Sequence, residues 1–139
     1  MTRTTDLRRS AAAWLAVAAF WLITTRNYHP SWALAAIVTG SLMVAYSSAS
    51  YLNHLVLLPR FFGSRRYRLY WALLLGIMLT FTGAALAVIR VAYFHLHGPD
   101  PDPNGAVKHY LIDLVGMVVH VAAAALVVRT IGRHPKMAP

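Results

Sequence analysis

The sequence has no cysteine and only four acidic residues among its 139. Without cysteine there is no disulfide, no haem attached through thiols and no thiolate metal site. Four carboxylates, two of them in a proline-rich loop, provide no pair for acid–base catalysis. A glycine-rich phosphate loop, an HExxH motif and a GxSxG motif are also missing. We therefore expect that the protein is not an enzyme.

Charged residues of either sign are scarce as well. They make up 12% of the chain, whereas hydrophobic residues make up 58%, which is too apolar for an ordinary soluble domain of this length. The net charge of +9 comes from short basic clusters at the ends of apolar runs. That distribution argues against nucleic-acid binding, which favours one continuous basic face, and for contact with anionic lipid headgroups. We expect a membrane protein that binds lipids and no nucleic acid.

Four apolar runs predict membrane-spanning helices at about 10–26, 31–58, 67–96 and 106–130. Pro59 is expected to end the second helix, because proline cannot continue a regular helix. The segment 98–105, GPDPDPNG, consists of turn-forming residues and separates the last two helices. A cleavable signal peptide is the alternative for the first run, but bulky residues stand where small ones should prepare the cleavage site.

Basic residues are distributed unequally between the two sides that these helices define. Ten of the thirteen lie in 1–9, 60–68 and 129–139. By the positive-inside rule both termini are then cytoplasmic. The predicted fold is all-α: a single transmembrane domain over 1–139, an up-down-up-down four-helix bundle in the bacterial inner membrane.

The segment between the second and third runs concentrates positive charge beside aromatic rings. It holds Arg60, Arg65, Arg66 and Arg68, and Trp71 follows. We expect this segment to lie flat on the cytoplasmic interface, against anionic headgroups or an acidic face of a partner subunit. The alternative is that these charges only fix the orientation of the chain.

The stretch YLNHLVLLPRFFGSRRYRLYWALLL resembles the junction of the second and third helices in the membrane domain of LytS-type sensor histidine kinases. The resemblance implies a sensor-type membrane domain. Such kinases continue after the fourth helix into a phosphoacceptor and ATP-binding domain, whereas this sequence ends at Pro139, so we carry over no kinase motif. The matching residues are Tyr51, Asn53, Val56, Leu57, Pro59, Arg60, Phe61 and Tyr70.

Arg90 and Asp113 lie inside the third and fourth runs, at similar depth near the non-cytoplasmic face. A charge in the apolar layer is costly unless it is paired, so we expect a structural ion pair between them. A proton or ion relay is the alternative, although no further carboxylate continues its path. Four histidines near the same face are expected to act as interfacial anchors: His29, His95, His97 and His109. The alternative is a metal site that they form with Asp100 and Asp102.

His120 is predicted near the midplane, with Gly116 and Ala124 one turn away on either side. An imidazole between small residues leaves room for a flat tetrapyrrole whose metal the nitrogen ligates, so these three residues form a speculative site for a (bacterio)chlorophyll or similar pigment. The alternative is that the small residues admit a neighbouring helix and His120 hydrogen-bonds across to it. No second histidine matches its depth, which disfavours a bis-histidine haem.

Two functional hypotheses follow. The first is a non-catalytic accessory or structural subunit of a larger membrane complex, photosynthetic or otherwise energy-transducing, in contact with other integral membrane subunits. Small residues in Ala36-x-x-x-Gly40 and Gly83-x-x-x-Ala87 favour such close helix packing. The second is an orphan sensory membrane module, related to LytS-type kinases, that signals through a partner. A small transporter or enzyme is a third and less favoured possibility.

Overall fold

In a computed structural model, the described backbone covers residues 3–98 and 105–132, with side chains described for 11–98, 105 and 107–127. These residues form helices and turns, with no strand among them. The elements are α1 (Arg3–Thr25), a 3-10 turn (Arg26–Tyr28), α2 (Trp32–Leu52), a π-helical segment (Asn53–Phe62), α3 (Tyr67–His97) and α4 (Gly105–Gly132). The all-α prediction is confirmed.

Three helical stretches of the described chain are long and apolar enough to cross a membrane. They are Trp32–Phe62, Tyr67–His97 and Val107–Val127. Large apolar side chains are exposed on all four helices, among them Ile23, Val44, Leu75 and Val119. These features suggest a membrane protein, because such surface is stable in lipid and costly in water.

The bounds of α3 and α4 lie within two residues of the predicted ones, but the first two helices differ. Helix α1 begins at Arg3 rather than near residue 10, so the helix includes most of the basic stretch 1–9 that precedes the first apolar run. The second helix does not end at Pro59. It continues to Phe62 as a π-helix, whose wider turn accommodates a residue that lacks the N–H of a regular helix.

Helix α2 lies at the centre and contacts α1, α3 and α4. Ser31 caps its first turn by accepting a hydrogen bond from the N–H of Leu34 at 3.2 Å. At the far end of α3, Gly98 ends the helix with a positive φ of 84°, which favours glycine. The core lies where α2, α3 and α4 face one another, and is built from Met43, Ala45, Tyr46, Ala49, Leu57, Tyr70, Leu74, Met78, Ala85, Met117 and Val121.

Two side-chain hydrogen bonds, one at each end, show the relative direction of α2 and α3. Tyr70, near the start of α3, donates to Oδ1 of Asn53 at 3.0 Å. Tyr93, near the end of α3, is hydrogen-bonded to Nδ1 of His29, just before α2. The two helices are therefore antiparallel. One end of the pair carries the basic segment between them, and the other end carries the histidines.

Candidate functional site

A cleft of about 920 Å³ opens at the end where α3 finishes and α2 begins. Its apolar lining includes Val38, Leu86, Ile89 and Ile112. Its ionisable lining consists of His29, Arg90, His95, His97, His109 and Asp113. We call this concavity the histidine cleft. An apolar cavity of this size with a few convergent polar groups is the usual form of a small-molecule site.

His29 is held in the cleft wall by the turn that precedes α2. Its Nδ1 is hydrogen-bonded to the hydroxyl of Tyr93 at 2.9 Å, and its carbonyl accepts from the guanidinium of Arg26 at 2.9 Å. The same guanidinium lies 4.6 Å from the centre of the Trp32 ring. Burial, and secondarily the positive charge of Arg26, hold the pKa of His29 below its ordinary value. His29 is therefore kept neutral as a hydrogen-bonding group.

Arg90 and Asp113, predicted to form an ion pair, both line this cleft, one from α3 and the other from α4. The structure thus brings the two residues to one cavity, as their positions in the sequence indicated, while the ion pair itself stays a prediction. Among the described residues, no group of three or more histidines, cysteines or carboxylates is arranged to hold a metal ion. Asp100 and Asp102 lie outside the described residues.

His120 lies in a separate aromatic cluster, where α1, α2 and α4 meet. Its Nδ1 is 2.7 Å from the carbonyl of Gly116 and its Nε2 is 3.3 Å from the indole N–H of Trp21. Because a carbonyl only accepts and an indole only donates, Nδ1 carries the proton and Nε2 accepts. The imidazole also stacks on Tyr46, with ring centres 4.6 Å apart, and lies parallel to Trp14 at 6.5 Å.

The space beside Gly116 is filled by the ring of Tyr46. A Cβ atom at this glycine would lie 2.6 Å from the tyrosine hydroxyl, which itself donates to the carbonyl of Asp113 at 3.1 Å. Small size at Gly116 thus admits a side chain from α2, and His120 hydrogen-bonds across to α1. This is the arrangement that the alternative interpretation described.

A tetrapyrrole at His120 would have to displace both Tyr46 and the indole of Trp21. The Trp21 hydrogen bond is long, so the Nε2 lone pair is held only weakly. Ala124, the third residue of the predicted pigment site, is half-buried on α4. The pigment site stays a prediction.

Residues 60–68 run from the end of the π-helical segment to the first residues of α3, and we call them the basic hairpin. It is closed by two backbone hydrogen bonds, from Arg65 to the Phe62 carbonyl at 3.1 Å and from Arg66 to the Phe61 carbonyl at 2.9 Å. Arg65 has a positive φ of 58°, which turns the chain sharply. The four hairpin arginines are exposed, and Trp71, on the first turns of α3, is 60% exposed.

Aromatic side chains pack the hairpin against the core. Phe62 packs edge-on against Tyr67 and Tyr70, at ring-centre distances of 5.0 and 5.2 Å. Tyr70 is buried and bonded to Asn53, so the π-helical segment and α3 are joined under the arginines. The hairpin is therefore anchored to the core and is not an independent loop.

Sequence reasoning missed two features. Tyr46 and Trp21 partner His120 across helices, and no local pattern marks residues that meet from 74 and 99 positions away in the chain. The second feature is the cavity. The four outer histidines, expected to act as interfacial anchors or, alternatively, to bind a metal with Asp100 and Asp102, line it together with apolar residues: His29, His95, His97 and His109. Their placement at the same end of the predicted helices is the signal that could have indicated it.

No protein-family model, no curated protein and no solved structure matches this chain. The resemblance of the 51–75 segment to LytS-type membrane domains therefore stays a prediction, carried by the residues quoted for it.

Proposed function

We propose that the protein is a non-catalytic sensory membrane module that binds a small amphiphilic ligand in the histidine cleft and signals through a partner protein. The observation that carries this proposal is the cleft itself, which is lined by both apolar and ionisable side chains. An amphiphile matches both, because its apolar body packs on the apolar side chains while its polar head bonds to the ionisable ones.

The route from ligand to partner runs along α2 and α3. Both helices line the cleft at one end, and the basic hairpin joins them at the other. A ligand wedged between their ends favours whichever arrangement of the pair it binds more tightly. The π-helical segment leads into the hairpin and shares residues 60–62 with it. Turns of π-helix are frequent at functional sites. We infer that this segment absorbs the movement.

The membrane arrangement that accompanies this proposal has four spans, with both termini in the cytoplasm of a bacterial inner membrane. Its support is the excess of basic residues at the termini and in the basic hairpin. The histidine cleft would then open on the outer side. A cysteine introduced at Asn104 should react with an impermeant reagent in intact cells, and reaction only after permeabilisation would contradict this orientation.

The ligand is tested by occluding the cleft. Protein purified in mild detergent should carry an amphiphile detectable by native mass spectrometry. Leu86→Trp puts an indole into the apolar lining of the cleft and should abolish the mass of the bound amphiphile. Val44→Trp, on an exposed part of α2 away from the cleft, should retain that mass. Retention of the mass by the Leu86 variant would place the ligand elsewhere, and wild-type protein without any bound amphiphile would contradict the proposal.

A second candidate function is the accessory subunit of a larger membrane complex. Its support is a line of small, exposed residues one turn apart on α3, where a Cβ at Gly76 would meet nothing within 4 Å. Such a surface permits close approach by a helix of another subunit. The same holds for Ala36 and Gly40 on α2. The line on α3 consists of Ala72, Gly76, Thr80 and Ala84.

Mild-detergent purification separates the two functions. Co-purifying membrane subunits that are lost on Gly76→Leu would support the accessory role, and a homodimer without other subunits would support the sensory one.

A visible absorption spectrum of the same preparation tests the pigment site. A tetrapyrrole band that disappears in His120→Ala would support it, and a colourless preparation would contradict it.

A further inference from the structure

Three arginines of the basic hairpin surround one shallow hollow. The hollow has a volume of about 420 Å³ and is lined by Arg65, Arg66, Tyr67, Arg68 and Leu69. We call it the arginine hollow. Arg60 is also exposed on the hairpin but does not line it. Three of the four hairpin arginines thus border one concave spot.

The chain supplies no nearby carboxylate in the sequence to balance this charge. No aspartate or glutamate occurs between Asp6 and Asp100, so neither α2 nor the hairpin nor α3 contains an acidic residue. No side chain of residues 7–99 can therefore balance this charge. Guanidinium groups bind phosphate in a bidentate manner, and several of them around one hollow favour a phosphate group over a single carboxylate.

The backbone that carries the arginines is fixed before any ligand arrives. Two backbone hydrogen bonds close the hairpin at Arg65 and Arg66, and Arg65 makes the sharp turn. Beneath them, Tyr67 packs against Phe62. A site whose backbone is already fixed loses less entropy on binding than a mobile loop would.

An apolar surface begins at the edge of the hollow. Leu69 lines the hollow and is 43% exposed, and Leu73, one turn further along α3, is 37% exposed. Gly76 follows on the next turn with open space around it. Trp71, exposed at the same end, has the amphipathic ring that favours the headgroup layer. Charge and apolar surface therefore adjoin as the head and chain of a phospholipid do.

We propose that the arginine hollow binds the phosphate headgroup of an anionic phospholipid, with an acyl chain along Leu69 and Leu73. This site is independent of the histidine cleft and stands whether or not the cleft binds a ligand. It also gives the hairpin arginines a role beyond orientation, because a specific headgroup would fix the depth of α3 at the interface.

The test uses the full chain, delipidated in a non-ionic detergent. Thermal unfolding is followed while phosphatidylglycerol, phosphatidylcholine or water-soluble glycerol phosphate is added. Phosphatidylglycerol should raise the unfolding temperature, and the other two should not. An equal effect of glycerol phosphate would identify a soluble phosphate as the ligand, and an equal effect of phosphatidylcholine would show that charge is not recognised. Either result would overturn the proposal.

The double variant Arg66→Gln, Arg68→Gln should weaken the apparent affinity for phosphatidylglycerol by roughly tenfold or more, and the loss should shrink at high salt. Arg60→Gln is the matched control, because it removes an exposed arginine of the same hairpin that does not line the hollow. An equal loss of affinity in this variant would mean that the lipid responds to surface charge in general, and would overturn the proposed site. Should the double variant fail to fold, the lipid comparison on the wild type still decides the question.

Discussion

The two ends of the α2–α3 pair carry ionisable side chains in opposite ways. At the histidine cleft, groups of both signs line a concavity, and His29 already has a hydrogen-bond partner in Tyr93. At the basic hairpin, the charge is of one sign and exposed, and the flanking helices contain no carboxylate. We infer that the ionisable groups at the cleft stabilise the fold as well as binding the proposed ligand, whereas the charge at the hairpin acts in binding and contributes little to stability.

The strongest test of this contrast removes one charge at each end. Asp113→Asn should lower the free energy of unfolding by about 3–5 kcal/mol if the predicted pair with Arg90 forms, because the guanidinium would remain in the apolar layer without its carboxylate. Arg66→Gln should change it by less than about 0.5 kcal/mol, as is usual at an exposed surface. Thermal unfolding in one detergent gives both values. Equal stabilities for the two variants would remove the contrast.

Between the two ends, α2 and α4 are held together by the close contact of Tyr46 with Gly116. Gly116→Ala should cost about 1–3 kcal/mol, because the added Cβ overlaps the Tyr46 hydroxyl and displaces it from the Asp113 carbonyl. Gly40→Ala is the matched control, since nothing lies within 4 Å of its Cβ. That change should leave stability unchanged or raise it by up to about 1 kcal/mol through helix propensity. A neutral Gly116→Ala would mean that Tyr46 moves freely.

The hairpin end should depend on a neutral hydrogen bond rather than on its charges. Asn53 is buried and accepts from Tyr70, joining the π-helical segment to α3. Asn53→Ala should therefore lower the free energy of unfolding by about 1–2 kcal/mol, the usual cost of losing a buried hydrogen bond. Protease sensitivity of the hairpin should rise at the same time. An unchanged stability in this variant would mean that the rings of Phe62 and Tyr70 suffice to hold the hairpin.

The smallest expected effect is a pH dependence confined to the cleft end. The lowered pKa of His29 means that the unfolded chain binds a proton near 6.5, whereas the folded chain binds it only at lower pH. Its contribution to stability is complete above that value and declines as the pH falls through the folded pKa. His29→Gln should flatten part of the decline in unfolding temperature between about pH 7 and 5, while Arg66→Gln should follow the wild type. Superimposable profiles for the His29 variant and the wild type would contradict this assignment.

Much of the fold was predictable because its determinants are local. Runs without charge mark the helices, and the turn-forming GPDPDPNG marks the boundary before α4, so the bounds of α3 and α4 agree closely. Pro59 misled for a physical reason. Proline excludes the hydrogen bond of a regular helix, but the chain continued by widening the turn, and nothing local distinguishes that outcome from a stop.

The candidate sites were less predictable because they are assembled from distant positions. Arg90 and Asp113 could be placed near each other because they have similar predicted depths on consecutive apolar helices, and consecutive helices usually lie side by side. The partners of His120 could not be, because whether Tyr46 or a pigment fills the space beside Gly116 depends on how α2 rotates about its axis. That rotation is set by packing over the whole helix and leaves no mark near residue 120.

The fit of a tyrosine ring against a glycine has an evolutionary consequence. A Cβ at Gly116 would overlap the Tyr46 hydroxyl, whereas a Cβ at Gly83 would lie at an ordinary 3.8 Å from the Tyr110 ring, whose hydroxyl donates to the Leu79 carbonyl. Only Tyr46 and Gly116 therefore form a unit in which one member is free to grow only if the other shrinks. Among descendants of this chain, we expect positions 46 and 116 to change together, and Tyr46→Phe to restore part of what Gly116→Ala loses. Drift at these sites is coupled across helices, while the exposed Gly40 and Gly76 accept substitutions one at a time.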